Sequence, residues 1–295
     1  MTAGCIEPCQ RFSTRTDDET TRPLVDCGRP MNHQARSAAL PRDAPVSARP
    51  GRRLGGRTVA AGDLDEATRR AAFALFTAAY EGADWPRFLT DLSEKQYVIL
   101  MHDKETGELK GFSTVSVRVE QTERGKATVV FSGDTVIDRD YWGQKQLHKQ
   151  FSLLLLRLQI ENPLRPVFWF LVSKGYKTYL TLINSCPVSI PRHERADDPR
   201  LRQLLDSLAT ARFGAAYQVS TGIAINVAHE RVRIGLAPID ESALSNPHVR
   251  YFAQRNPGHV RGDELACLAL VRKRDAAAVA LRSVMARLRK RRRAA

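Results

Sequence analysis

The sequence has few cysteines and no long apolar run. Its five cysteines, Cys5, Cys9, Cys27, Cys186 and Cys267, include no Cys-x-x-Cys pair, and no histidine follows them at zinc-finger spacing. This usage predicts free thiols in a reducing, cytoplasmic compartment and no metal site. No apolar run approaches the roughly 20 residues that span a bilayer, and the N-terminus lacks the apolar core of a signal peptide. Membrane-spanning and exported proteins are therefore not expected classes.

The excess of positive charge is concentrated at the two ends of the chain. The formal net charge of the 295 residues is +14. Residues 1–57 carry 10 basic against 6 acidic residues and residues 272–295 carry 10 against 1, which leaves 26 against 25 between them. A nearly neutral body with a basic end favours a solvated tail. Binding of nucleic acid or of an anionic membrane surface through RLRKRRRAA is the alternative.

Composition divides the chain into three predicted segments. Residues 1–56 are rich in Pro, Arg, Thr and Ala and lack apolar periodicity, which predicts a disordered N-terminal extension. Residues 57–275 alternate between strand and helix patterns and are the predicted folded domain. Residues 276–295 are the predicted basic C-terminal helix or tail, with Leu281, Val284, Met285 and Leu288 on one face.

The first half of the domain predicts two helices and then an antiparallel meander. Asp63 is the expected cap of a helix over 64–80, and a shorter helix is expected over 85–92. Three strand patterns follow, QYVILMHD, GELKGFSTVSVRVE and KATVVFSGDTVID. Gly107 in the turn KETG suits a hairpin between the first two.

The hydrophobic period changes from two to 3.6 after Gly143. A stripe of Leu147, Phe151, Leu154, Leu155 and Leu158 predicts a long helix that ends before Pro163. The apolar run PVFWFLVS then predicts a strand buried on both faces, reached by a parallel crossover. The expected fold class is α/β, with a mixed, mostly antiparallel twisted sheet of about seven strands and helices on both faces.

The remaining patterns complete the predicted sheet. Helices are expected at KGYKTYLTLIN, over 199–212 and over 248–254, and strands at YQVSTGIAINVA and ELACLALVRK.

This order of elements resembles the GNAT superfamily of acyl-CoA N-acyltransferases over residues 57–185. The resemblance implies that the third meander strand opens away from its parallel neighbour, and that the next helix offers its first amides to the pyrophosphate of acetyl-CoA or acyl-CoA. The segment DRDYWGQKQL occupies the matching place. The implied cofactor-binding residues are Val136, Ile137, Trp142, Gly143, Gln144, Lys145 and Gln146. The family pattern has two small residues in this turn. Gly143 matches the first, whereas Lys145 stands at the second position. The alternative is that the turn is only a structural corner between strand and helix.

Acyl transfer to an amine requires a base for the ammonium and an acid for the leaving thiolate. The resemblance implies a carboxylate base near the opening strand, where Asp134 and Asp138 lie, and a tyrosine acid on the helix after the buried strand, where Tyr176 and Tyr179 lie. The structural alternatives are a capping role for Asp138 and packing of both tyrosines in the core.

The loop RNPGHVRGDELACL is a further polar cluster. His259, Arg261 and Asp263 precede an apolar strand, and loops at strand ends commonly carry binding groups. They are the expected substrate-binding residues, and the alternative is a glycine-rich turn whose charges cap the backbone.

The sequence thus predicts a cytoplasmic acyltransferase that moves an acetyl or acyl group from acyl-CoA directly to a small-molecule amine or a protein. Two alternatives remain: a non-catalytic GNAT-like binding module, and a protein that binds nucleic acid or membrane surfaces through its basic C-terminal helix.

Overall fold

A computed structural model of the protein describes residues 52–225, 231–233 and 239–274. Most of the predicted N-terminal extension and all of the predicted C-terminal helix over 276–295 lie outside the described residues. Two of the five cysteines, Cys186 and Cys267, are described, and both are free and buried. No helix within the described ranges combines the length and apolarity needed to cross a membrane.

The strands are β1 (Leu54–Ala60), β2 (Tyr80–Glu81), β3 (Tyr97–Asp103), β4 (Leu109–Thr122), β5 (Gly125–Ile137), β6 (Val167–Ser173), β7 (Ser189–Ile190), β8 (Tyr217–Gln218), β9 (Ile223–Ala224), β10 (Arg231–Val232) and β11 (Glu264–Val271). The helices are α1 (Glu66–Ala79), α2 (Trp85–Ser93), α3 (Gln146–Glu161), α4 (Tyr176–Ser185), α5 (Pro199–Phe213), α6 (Glu241–Leu244) and α7 (Pro247–Arg255).

The main sheet has the order β1-β3-β4-β5-β6-β11-β9-β8, with β7 also paired to β11. The pair β5–β6 is parallel and the other pairs in this sheet are antiparallel. This confirms the predicted α/β fold with a mixed, mostly antiparallel sheet. The sheet has nine strands instead of about seven. The extra strands are β7 and β9. In the predicted strand YQVSTGIAINVA, the described residues 217–225 hold two short strands, β8 and β9, because the chain turns before Gly222, whose φ is 75°.

Helices cover both faces of the sheet, as predicted. Helices α3, α4 and α7 pack on one face around Trp169 and Leu171, whereas α5 packs on the other face around Phe170. Helices α1 and α2 enclose a further core with Phe112 of β4. The helix α1 begins two residues later than predicted because Asp63 ends a short 3₁₀ turn, so that Asp65 is the cap and accepts a hydrogen bond from the Thr68 backbone amide.

Candidate functional site

The sheet opens between its two central parallel strands. Backbone pairing of β5 with β6 runs from Thr128 and Val167 to Ser132 and Leu171. Beyond Ser132, β5 continues along β4 only, and β6 continues along β11 to Ser173. The two strands therefore separate at their carboxyl ends, where the sequence analysis expected an opening.

A bulge and a buried lysine lie where β5 leaves β6. The register of β4 against β5 shifts between Ser113 and Val115. A Cβ atom on Gly133 would lie 2.5 Å from Thr114 Oγ1 and 3.1 Å from Lys95 Cε, so glycine permits this close approach.

The Lys95 side chain is fully buried, and its ammonium lies 2.5 Å from Asp91 Oδ1 and donates to the Asp91 carbonyl. Burial lowers the pKa of Lys95, while the Asp91 carboxylate opposes that shift. The buried Lys95 side chain thus lies next to the bulge at Gly133, and its ammonium is paired with Asp91.

The chain turns sharply between β5 and α3. A 3₁₀ turn spans Arg139–Tyr141, and Gly143 follows with a φ of 81°, in the left-handed region. The Asp138 carboxylate accepts from the Asp140 amide at 3.0 Å, and the Trp142 indole donates to the Ile137 carbonyl at 2.8 Å. Asp138 is therefore the cap of this turn.

Polar side chains fasten the turn to the neighbouring strands. The buried Tyr141 hydroxyl donates to the Asp103 carboxylate at 2.6 Å. Burial and this contact raise the pKa of Tyr141 to about 12, and the same hydroxyl is the first cause that lowers the pKa of Asp103. The Gln144 side chain accepts from the Leu54 amide and donates to the Arg52 carbonyl. The start of α3 is thereby tied to β1 and β3.

The starts of α3 and α4 carry no side-chain cap. At Lys145 and Gly175, the N-cap residues, no side chain accepts a hydrogen bond from the first helical turn. The other described α-helices, α1, α2, α5, α6 and α7, each have an Asp or Asn cap. Since α3 follows β5 and α4 follows β6, both uncapped ends lie beside the opening.

Cationic side chains surround these helix starts. The Lys177 ammonium lies 4.3 Å from the centre of the Trp142 ring, and the Arg139 guanidinium lies 5.5 Å from it. Lys145 is exposed at the end of the same turn. Uncapped amides, the positive ends of two helix dipoles and three cations together favour a bound anion.

The four predicted catalytic residues occupy different surroundings. Asp134 is partly buried on the part of β5 that has left β6, and its charge acts on Lys95. Tyr176 is partly buried at the first position of α4, where burial raises its pKa. Tyr179 is fully buried, and its hydroxyl donates to the Pro191 carbonyl at 3.1 Å. Asp134 and Tyr176 lie beside the opening, whereas Tyr179 lies in the core and Asp138 caps the turn.

The predicted substrate loop lies beside the end of β6. The Asn256 amide donates to the Ser173 carbonyl at 3.4 Å and to the Asp263 carbonyl at 2.7 Å. His259 Nδ1 lies 3.0 Å from the Asn256 carbonyl, and exposed Arg261 lies 3.3 Å from the buried Asp263 carboxylate. These internal contacts shape the turn and leave Arg261 as its exposed cation.

The sequence analysis missed a charged pair at the same edge. The Lys174 ammonium lies 3.8 Å from the Glu264 carboxylate and 5.2 Å from the Tyr80 ring centre. The register that pairs Ser173 with Leu265 places these two residues at adjoining strand ends. Predicting this pair would have required knowing that β6 and β11 are antiparallel neighbours, which the sequence alone does not indicate.

No family model matches the sequence, and no curated protein matches it. Among solved structures, the chain is similar to a conserved protein of unknown function from Enterococcus faecalis V583, with 15% identity, a TM-score of 0.33 and coverage of 44% of this chain and 32% of the other. The chain thus spans about a third of that protein.

Two further solved structures are N-acetyltransferases. One is a GNAT family enzyme from Escherichia coli in complex with CoA, with 18% identity, a TM-score of 0.31 and coverage of 45% of this chain and 68% of the other. The second is glucosamine-6-phosphate N-acetyltransferase from Arabidopsis thaliana, with 11% identity, a TM-score of 0.35 and coverage of 50% and 99%. On the strand order and the opening described above, the fold is GNAT-like.

Proposed function

We propose that the protein transfers an acetyl or acyl group from acyl-CoA to an amine. The observation that carries this proposal is the opening between β5 and β6, with the uncapped start of α3 directly behind Gly143. Backbone amides at a helix start bind phosphate groups because they lack intrahelical partners and lie at the positive end of the dipole.

The residues of the turn fit a pyrophosphate. An added Cβ atom on Gly143 would meet no atom within 4 Å, so this side of the turn has room for a ligand. Lys145 replaces a small residue of the family pattern, and its side chain is exposed. The Gln144 amide already donates to the Tyr141 carbonyl at 3.4 Å. The amides proposed for the pyrophosphate are therefore those of Gly143, Lys145 and Gln146.

The other predicted cofactor residues support the turn. The Val136 side chain is buried in the α1–α2 core, and the Ile137 carbonyl accepts from the Trp142 indole. Trp142 also lies under the Lys177 ammonium, which keeps that cation at the helix start. Gln144 fixes the turn to β1 through its side chain.

Asp134 and Tyr176 are the proposed proton-transfer residues. Asp134 removes a proton from the acceptor ammonium, so that the amine lone pair can attack the thioester carbonyl. As the new C–N bond forms, the C–S bond breaks, and Tyr176 gives its proton to the departing thiolate. The second proton that the attacking nitrogen loses in becoming an amide then returns the Tyr176 phenolate to its neutral form. Orientation of the two substrates in the opening supplies the remaining acceleration.

Isothermal titration with acetyl-CoA and with S-acetyl-pantetheine tests the binding part of the proposal. Only acetyl-CoA has the pyrophosphate, so it should bind much more tightly than the truncated thioester. Lys145→Glu and Lys177→Glu should each weaken acetyl-CoA binding by roughly fivefold to tenfold. Lys126→Glu, at the exposed far end of β5, is the matched control and should have no effect. Failure of every acyl-CoA thioester to bind would remove the proposal.

Turnover separates an enzyme from a non-catalytic binding module. The protein is incubated with acetyl-CoA and a panel of small amines and lysine peptides, and thiol release is followed. An acyltransferase should release CoA only when an acceptor is present, and Asp134→Asn should slow that release. Tight acetyl-CoA binding without acceptor-dependent release would identify a binding module.

A further inference from the structure

Two imidazoles and a carboxylate meet between the loop after β7 and the start of α7. The ligand atoms of His193, Glu194 and His248 all lie within 4.8 Å of one another. His248 Nε2 is 3.1 Å and His193 Nε2 is 3.8 Å from Glu194 Oε1. The two imidazole centroids are 4.2 Å apart at 69°. Donor atoms on one tetrahedral zinc ion lie roughly 3.3 Å apart when each bond is about 2.0 Å, so small side-chain movements would suffice.

The carboxylate of this cluster is held in place by Arg192. The guanidinium donates to both Glu194 oxygens, at 3.1 and 3.0 Å. It also donates to the Ile183 carbonyl and the Ser189 hydroxyl, both at 3.0 Å, so it is itself fixed to the end of α4 and to β7. Carboxylates that bind metals are commonly oriented by such outer hydrogen bonds. The cation of Arg192 also lowers the net negative charge, which favours a site of moderate affinity.

The two histidines come from separate elements that are each anchored. His248 is mostly buried near the start of α7, and its backbone amide donates to the Asn246 side chain at 2.9 Å. His193 lies in the loop that follows Pro191, whose carbonyl accepts from Tyr179 of α4. The cluster therefore joins a loop and a helix that are distant in sequence.

We propose that His193, Glu194 and His248 form a binding site for a divalent metal ion of the zinc class. Two imidazole nitrogens and one carboxylate oxygen suit Zn²⁺, whereas Mg²⁺ and Ca²⁺ prefer sites made of oxygen atoms. Three protein ligands leave a fourth tetrahedral position for water. The ion would clip the loop after β7 to α7. This inference is independent of acyl transfer.

The spacing of histidines in the sequence did not indicate this site. The expectation of no metal rested on the absence of Cys-x-x-Cys pairs and of histidines at zinc-finger spacing from the cysteines. Here the imidazoles lie on different elements, so only the packing of α7 beside the loop brings them together. The proposal replaces the earlier expectation.

Calorimetric titration of the chelator-treated full-length protein with ZnCl₂ tests the site. One Zn²⁺ should bind and raise the melting temperature, and MgCl₂ at the same concentration should do neither. His193→Ala and Glu194→Gln should each weaken this binding at least tenfold, since each removes or neutralises one ligand. His148→Ala, an exposed histidine on α3, is the matched control and should bind like the wild type.

The proposal would be overturned if the wild-type protein bound no Zn²⁺, or if His193→Ala and Glu194→Gln both left Zn²⁺ binding unchanged. Circular dichroism of each variant checks its fold, and Co²⁺ absorption distinguishes the ligands. A cobalt complex lacking the thiolate charge-transfer band supports the His and Glu ligands, whereas a strong band would assign the ion to cysteines.

Discussion

At the scale of single residues, the Tyr141 hydroxyl joins the turn before α3 to the end of β3. Its acceptor, the Asp103 carboxylate, also accepts hydrogen bonds from the backbone amides of Glu105 and Thr106, at 2.7 and 2.9 Å. One carboxylate therefore organises both the β3–β4 hairpin and the turn that precedes the proposed phosphate site. Loss of the Tyr141 contact leaves the hairpin contacts in place.

Tyr141→Phe should reduce stability in a manner that depends on pH. The Tyr141 hydroxyl is the first cause of the lowered pKa of Asp103. A carboxyl with a lower pKa in the folded than in the unfolded protein stabilises the fold above its ordinary pKa, and this contribution is lost as the pH falls through the folded value. The deficit in free energy of unfolding should thus be largest near neutral pH and shrink below about pH 4. Urea unfolding at several pH values measures it; a pH-independent deficit would contradict the account.

Two tyrosines on one helix should give opposite phenotypes, if the proposed function holds. Tyr176→Phe removes the proposed acid and should lower kcat by roughly a hundredfold with little change in stability. Tyr179→Phe leaves the Pro191 carbonyl without its donor and should lower the free energy of unfolding by about 1 to 2 kcal/mol, with kcat almost unchanged. Steady-state kinetics and urea unfolding on both variants decide. If only Tyr179→Phe caused a large loss of kcat, Tyr179 would be the proton donor and Tyr176 would not.

At the scale of elements, the hydrophobic patterns of the sequence predicted the helices and strands whose positions depend on nearby residues. The apolar stripe of α3 predicted its buried face, and Phe151, Leu154, Leu155 and Leu158 are buried. The strand-like apolar runs predicted β3, β4 and β5, because strands covered by helices on both faces of a sheet contain consecutive buried residues. The strand YQVSTGIAINVA was wrong because one glycine allowed a turn that the apolar pattern does not reveal.

Contacts between residues that are distant along the chain could not be predicted from the sequence. The glycine turn before α3 was found because its residues are contiguous. The approach of Lys95 to Gly133, the Lys174–Glu264 pair and the His193–His248 pair depend on which strands and helices pack together. A single sequence contains no direct signal for such contacts.

The bulge in β5 should control the opening between the parallel strands. Gly133→Ala would force its new methyl group against Thr114 and Lys95, which lie too close for a Cβ atom. We expect a loss of about 1 to 3 kcal/mol in free energy of unfolding, together with weaker acetyl-CoA binding. Gly62→Ala is the matched control, since no atom lies within 4 Å of its added Cβ atom. Equal stability and equal binding of the two variants would show that the bulge tolerates a side chain.

At the scale of the whole molecule, α4 connects the two proposed sites. Its first turn lies beside the opening, and its buried Tyr179 packs on Phe252 of α7 with ring centroids 5.8 Å apart. The proposed metal cluster lies at the start of α7, so its ion would brace the helix against which α4 rests. Every residue named in the two proposed sites lies outside the basic end of the chain.

Deletion of residues 282–293 should therefore change the binding of polyanions without changing the binding of acyl-CoA. This segment carries seven basic residues and no acidic one, whereas the chain between residues 58 and 271 is nearly neutral. A solvated basic tail predicts weak binding of duplex DNA and anionic liposomes that falls steeply with salt, because each neutralised phosphate releases counterions. The deletion should abolish this weak binding and leave the acetyl-CoA affinity unchanged. Fluorescence anisotropy at several salt concentrations and calorimetry measure the two affinities. Tight DNA binding at physiological salt that disappears with the tail would make nucleic acid a ligand of the protein, and DNA binding that survives the deletion would place a basic surface on the folded body.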